Sequence, residues 1–223
     1  MSIETHSICK AYKQKGVSTS VIHNFNHTFQ NGNLYVIKGE SGSGKSTLLS
    51  MLSLIQPPDS GTILFNGKDT SAMSEDEQYT IRREQIGFVF QEHNLFAELT
   101  ALDNVCLVEA CMKRVDIDML REKARCCLDS LGLLKKANIN IRYLSGGERQ
   151  RVSVARALYK NPLVCVFDEP ISNLDEANAG RIVDLLSRLS HEENKLVIVS
   201  CHSKAFDHCA DETIYIDEHG SEG

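Results

Sequence analysis

The chain has 223 residues, 42% of them hydrophobic and 24% charged, with a net charge of −6 at pH 7, the proportions of a soluble domain able to bury a substantial core. No stretch reaches the ~18 consecutive apolar residues that span a bilayer, which excludes a channel, and the negative balance gives no general footprint for nucleic acid or anionic lipid. The start Met1-Ser2-Ile3-Glu4-Thr5 lacks the basic residues and apolar run of a secretory signal, and the eight cysteines include no C-x-x-C pair; the chain is expected in a reducing cytosol, its cysteines serving as small hydrophobes.

In chain order, the β-like runs Ile3 to Cys9 and Ser20 to Phe29 predict a small antiparallel layer, and Asn31-Gly32 is a hairpin signal. Tyr12 stands just after the first run. Pattern alone favours a packing aromatic there, although the ring could stack on a flat ligand. The apolar run Leu34 to Ile37 predicts a buried strand, and Leu48 to Leu54 a helix.

Between them lies Gly39-Glu40-Ser41-Gly42-Ser43-Gly44-Lys45-Ser46-Thr47. Strand, glycine-rich turn and helix is the context of a phosphate-binding P-loop. Glycines 39, 42 and 44 are expected to allow tight, positive-φ conformations that aim several N–H groups at one oxyanion, and the helix start adds partial positive charge. Lys45 is then placed to reach the β- and γ-phosphates of a nucleoside triphosphate, and the Ser46 hydroxyl to bind Mg²⁺.

Further on, Thr62 to Phe65 with Asn66-Gly67 predicts an edge hairpin, and Ser74 with Glu77 fits a capping box opening a short helix to about Glu84. Ile86 to Phe90 is a predicted buried strand ending at Gln91, a residue placed either to touch Mg²⁺ or water or to be a solvated loop side chain. From Thr100 to about Leu134 the period is helical, with Ile117, Leu120, Ala124, Cys127, Leu128 and Leu131 on one stripe. This predicts a helical lobe bounded by Gln91 and Leu144. Ser145, Gly146 and Gly147 open another helix, a second anion-type helix start that could serve another subunit's nucleotide.

Leu163 to Phe167 then reads as a parallel strand buried on both faces and ending in Asp168 and Glu169. Asp168 is placed to hold Mg²⁺ and Glu169 to polarise an attacking water. Ser172-Asn173-Leu174-Asp175 precedes a helix to about His191. Leu196 to Ser200 is another buried strand with His202 just past its end, and Thr213 to Ile216 is the last. A zinc site from Cys201, His202, His208 and Cys209 is the weaker reading of that region. The polar tail from Asp217 reads as frayed. Asn194-Lys195-Leu196-Val197 lacks the aspartate of the guanine-reading motif, which disfavours GTP.

Together these motifs resemble the nucleotide-binding domain of the ABC ATPases, across essentially the whole chain, and the run Leu144-Ser145-Gly146-Gly147-Glu148-Arg149-Gln150-Arg151 is the most specific of them. The resemblance implies an α/β P-loop NTPase fold with an ABC-type RecA-like core, an N-terminal antiparallel β layer and an inserted helical lobe. The chain is then one domain, with its core at 1–91 and 145–223 and the lobe at about 92–144. It also implies that Tyr12 stacks on adenine, Gln91 contacts metal and water, Glu169 is the catalytic carboxylate, Asp175 lies in the D-loop and His202 is the switch histidine. Two such domains would sandwich two ATP molecules, each P-loop facing the Ser145-Gly146-Gly147 helix start of the other copy.

The expected cofactors are ATP and Mg²⁺, and the expected partners are a second ATPase copy or homologue and an integral membrane permease, at the cytoplasmic face. The segment from Ile86 to Gln91, with Asn94 to Phe96 and Leu99 to Val105, is similar to the branch serving lipoprotein release, macrolide or antimicrobial-peptide export and cell division. A non-transport ABC ATPase, acting as a regulator or assembly scaffold, is the alternative. Asn173 stands where the family commonly has alanine, and the C-terminal regulatory domain of some importers is not expected.

Overall fold

The computed structural model describes residues 1–14, 17–110 and 116–216. The tail expected from Asp217 lies outside the described residues. Along the chain, β1 (Ser2–Gln14), β2 (Val17–Gln30) and β3 (Leu34–Lys38) lead to α1 (Lys45–Leu52), β4 (Ser60–Phe65), β5 (Lys68–Asp69) and α2 (Glu75–Gln85). Then come β6 (Ile86–Val89), α3 (Ala101–Ala110), α4 (Ile117–Ser130), α5 (Gly146–Leu158), β7 (Val164–Asp168), α6 (Glu176–His191), β8 (Leu196–Ser200) and β9 (Glu212–Tyr215).

Among the described residues the strands form two sheets, a parallel one in the order β6-β7-β8-β3-β9 and an antiparallel one in the order β2-β1-β4-β5. The parallel sheet follows from its apolar runs: every residue of β7 and β8 is buried, which requires cover on both faces. Alternation then divides each strand between two cores. Leu34, Val36, Cys165, Phe167, Val197 and Val199 face α5, α6 and the helical lobe. Tyr35, Ile37, Val164, Val166, Leu196 and Ile198 face α1 and the antiparallel layer.

Asn66-Gly67 makes the predicted tight turn, with φ of 52° and 74° and Phe65 paired to Lys68, as a two-residue hairpin of this hand needs. Asn31-Gly32 does not make one. Its flanking strands join different sheets, because the doubly apolar β3 pairs in parallel with β8 and β9, and Gly32 (φ 80°) donates its N–H to the Lys195 carbonyl at 3.0 Å. The two N-terminal runs extend into longer strands, so Tyr12 lies within β1 and not after it. Irregularities hid that length from a period-two reading: Ser7 and Asn24 have φ of 50° and 45°, and the Ser7 N–H donates to Asn26 Oδ1 at 2.7 Å. The capping box is formed, Ser74 Oγ accepting from the Glu77 N–H and Glu77 Oε2 from the Ser74 N–H.

The lobe carries α3 and α4, with Leu120, Ala124 and Leu128 buried as the stripe predicts. Ile117 departs from it and is 46% exposed. It is the first residue after the Asp116 cap. The helix α5 packs against both α3 and α4, so one core runs from the lobe to the central sheet.

Parallel strands set the site. Each of β3, β6, β7 and β8 ends at the same edge of the sheet, so the loops that follow them converge where ligands bind in open α/β folds.

Candidate active site

A cavity of about 430 Å³ lies at that edge. Its lining includes Ser41, Gly42, Gly44, Lys45, Ser46 and Thr47 from the loop after β3, Gln91 from the loop after β6, Asp168 and Glu169 from the end of β7, and His202 from beyond β8. Tyr12 joins them from the antiparallel layer, 45% exposed, its hydroxyl donating to Gln56 Oε1 at 3.1 Å and lying 3.3 Å from Thr47 Oγ1. The sequence thus named residues from five separate segments that the fold brings to one place.

The loop around Gly39 to Lys45 is held open by its own backbone. Gly42 and Gly44 take φ of 86° and 97°, in the left-handed region that favours glycine, and Gly44 is the N-cap of α1 without a side-chain cap, leaving first-turn N–H groups unpaired at the cavity. Gly39 is needed for a different reason than expected. Its φ is not positive; a β-carbon there would stand 2.3 Å from the Ile216 carbonyl oxygen and 2.6 Å from Ser43 Oγ, so glycine serves close packing against the chain just past β9. Gly39 and Glu40 lie behind the cavity, and their carbonyls accept hydrogen bonds from Lys45 Nζ at 2.9 and 2.7 Å. Ser43 is buried, with its hydroxyl unpartnered among the described residues.

Electrostatics at the cavity are those of a charged site in poor solvent. Burial pushes the Lys45 ammonium below its ordinary pKa, against the opposing pull of Glu169 and Asp168. Burial also pushes the Glu169 carboxyl up, against His202 and Lys45. Glu169 Oε1 lies 3.3 Å from His202 Nε2, yet this buried oxygen accepts no hydrogen bond among the described residues. Glu169 also holds a φ of 50°, a conformation costly for a side chain of its size and recurrent at functional sites. Glu169 thus brings to the cavity wall a carboxyl with one buried, unused acceptor.

Four sequence-named residues stand elsewhere. Ser145, Gly146 and Gly147 do not line the cavity. Ser145 is exposed and caps α5 in a reciprocal box with Glu148, and a β-carbon at Gly146 would meet open space, so the helix start is open at Ser145 and Gly146. Asp175 is exposed and caps α6, accepting from the Asn178 N–H at 2.9 Å; that bond, with the Asn178 amide, holds its carboxyl below the usual carboxylate range. The neighbouring Leu174 abuts Gly147, whose added β-carbon would lie 2.9 Å from Leu174 Cδ2, which ties the two outlying segments together. Among the described residues no cluster of three or more His, Cys, Asp or Glu could hold a metal.

Sequence reasoning passed over Val21, Ser172 and Ser200. Val21 lines the cavity from β2, and no sequence pattern marks it. Ser172 also lines it and donates to the Glu169 carbonyl at 3.0 Å. Ser200 stands opposite Asp168 in the β7–β8 register, a pairing that two adjacent apolar strands with polar ends could have suggested.

A family model described as ABC transporter matches residues 22–172. Solved structures are similar over nearly the full length of both chains. The dimeric structure of MJ0796, a bacterial ABC transporter cassette, shares 34% sequence identity at a TM-score of 0.93, covering 99% of this chain and 97% of that one. A dimeric post-hydrolysis state of the ATP-binding cassette MJ0796, bound to ADP and Pi, shares 33% identity with the same TM-score and coverage. With its fold, its phosphate-loop cavity and its sequence in agreement, this chain belongs to the ABC transporter family and is an ABC-type ATPase.

Proposed function

We propose that the chain is the ATP-hydrolysing subunit of an ABC transporter, that two copies close around ATP, and that closure drives a separate membrane permease of the export or extraction type. The observation that carries this reading is an incomplete site. The P-loop, Gln91, Asp168, Glu169 and His202 share one cavity, while the exposed helix start at Ser145 to Gly147 lies outside it. A second copy supplies the missing donors if its α5 start faces this P-loop, with Asp175 beside the junction; MJ0796 is described as dimeric. ATP then acts as the joint between copies, and its hydrolysis shifts the population toward separated ones.

In this reading Tyr12 stacks on the adenine, and the loop from Gly39 to Thr47 holds the phosphates with Lys45. Glu169 accepts a proton from the attacking water or orients it, and His202 holds the γ-phosphate. The residues fit Mg²⁺, which favours few protein oxygens completed by phosphate and water: Asp168 is a buried carboxylate, and Ser46 and Gln91 offer neutral oxygens at the same cavity. When bound, the cation neutralises charge developing on the phosphoryl oxygens.

The permease partner and a place on the cytoplasmic face of the membrane rest on family membership and on the helices, none of which, among the described residues, is long and apolar enough to cross a bilayer. The branch for lipoprotein release, peptide or macrolide export and cell division rests on the segment from Ile86 to Val105. Ser145→Arg tests the two-copy site. ATP binding by the monomer should persist while turnover disappears; loss of both together would place Ser145 in its own chain's site. Pull-down that recovers a soluble partner in place of a membrane protein would replace transport by a regulatory or scaffolding role.

A further inference from the structure

The hydroxyl of Ser200 touches both acidic residues of the site. The register of β7 and β8 sets it opposite Asp168, and the residue is fully buried. Its Oγ donates to Asp168 Oδ1 at 2.6 Å and accepts from the Glu169 N–H at 3.0 Å, while that same N–H is 3.2 Å from the Ser200 carbonyl. A hydroxyl has one proton and two lone pairs, so giving the proton to the carboxylate directs a lone pair at the amide. Two demands are met by one small group. Asp168, 6% exposed, needs a donor to keep its charge in poor solvent, and the left-handed backbone of Glu169 needs neighbours that hold it.

We propose that Ser200 is a positioning residue for ATP hydrolysis: its hydroxyl occupies Asp168 Oδ1, leaving Oδ2 as the carboxylate oxygen for the cation, and pins the backbone from which Glu169 reaches the water. Among the described residues Ser200 makes the one side-chain hydrogen bond to the Asp168 carboxylate. Replacing it therefore frees the carboxylate to rotate and share both oxygens, while every residue that lines the nucleotide cavity keeps its identity, since Ser200 is not among them. This rests on the reading of Asp168 as the cation-holding carboxylate.

The test compares Ser200→Ala, Ser200→Cys and Ser200→Thr with Asp168→Asn and the natural chain. Mn²⁺ binding to the ATP complex is read by electron paramagnetic resonance, nucleotide binding in EDTA by a fluorescent ATP analogue, and kcat and KM by turnover. Hydrogen-bonding partners of metal-holding carboxylates are typically worth about 10- to 100-fold in metal affinity or activity, so Ser200→Ala should weaken Mn²⁺ binding and lower kcat by that order. KM and nucleotide binding in EDTA should stay unchanged. Ser200→Cys, nearly isosteric with a weak donor, should do the same, and Ser200→Thr, which keeps the hydroxyl, should restore both. If Asp168→Asn loses Mn²⁺ while Ser200→Ala and Ser200→Cys keep it at full kcat, the positioning role is overturned and the cation reading stands. If Asp168→Asn also keeps Mn²⁺, both are overturned. A folded Ser200→Thr no better than Ser200→Ala would reduce Ser200 to packing.

Discussion

Glu169→Gln separates the chemistry from every other property of the site. The substitution keeps the shape of a side chain whose Oε1 lies buried, 3.3 Å from His202 Nε2 and without a hydrogen bond among the described residues, and removes only the ability to take a proton. A positioned general base contributes typically 10²- to 10⁴-fold, which at about 1.36 kcal/mol per tenfold corresponds to about 3 to 5 kcal/mol of barrier. Turnover should fall by that factor while Mg-ATP affinity is retained, and the ATP-bound form should accumulate as a dimer visible by light scattering. Stability moves the other way. Burial raises the Glu169 pKa in the folded state, so its ionisation costs stability as pH climbs past the ordinary carboxylate value; a neutral amide removes that cost, and the melting temperature of the nucleotide-free variant at pH 7 should equal or exceed that of the natural chain. A variant that hydrolyses ATP at the natural rate would remove Glu169 from the reaction. One that stays monomeric at saturating ATP would refute closure around the nucleotide.

Gly44→Ala should abolish ATP binding measured by calorimetry: the position has φ of 97°, and its added β-carbon would stand 2.6 Å from the Val21 carbonyl, where an L-residue already costs roughly 1–2 kcal/mol from backbone conformation alone. The pH profile of turnover should be narrower than free side chains would give. Its acidic limb should lie above 4.5, because the raised Glu169 must be ionised, and its basic limb below 10.5, because the lowered Lys45 must be charged; an acidic limb persisting unmoved in Glu169→Gln would assign it to another group. Ser74→Ala removes one half of the α2 capping box and should cost about 1 kcal/mol, read as a lower melting temperature with kcat unchanged, since α2 contributes nothing to the cavity lining.

Local chemistry explains how much was legible in advance. The P-loop, the strand ending in Asp168 and Glu169, and the capping box at Ser74 are set by residues within a few positions of one another, so glycine freedom, apolar runs and cap spacing reveal them. Asn31-Gly32 shows where that logic fails. Its dipeptide matches a hairpin as well as Asn66-Gly67 does, and the choice was made by β8 and β9, more than 160 residues away, pairing with β3.

The sequence by itself determined the nucleotide chemistry, because a phosphate cradle and a doubly buried strand capped by carboxylates are local patterns of backbone freedom and burial. Tertiary structure alone decided the distances between them. Only when parallel strands aligned their ends did Tyr12 and Val21 of the antiparallel layer reach the P-loop and Ser200 meet Asp168, and only then was the start of α5 left outside its own chain's cavity. Contacts between strands are chosen by the burial of both faces of a whole sheet, a property no short stretch of residues contains.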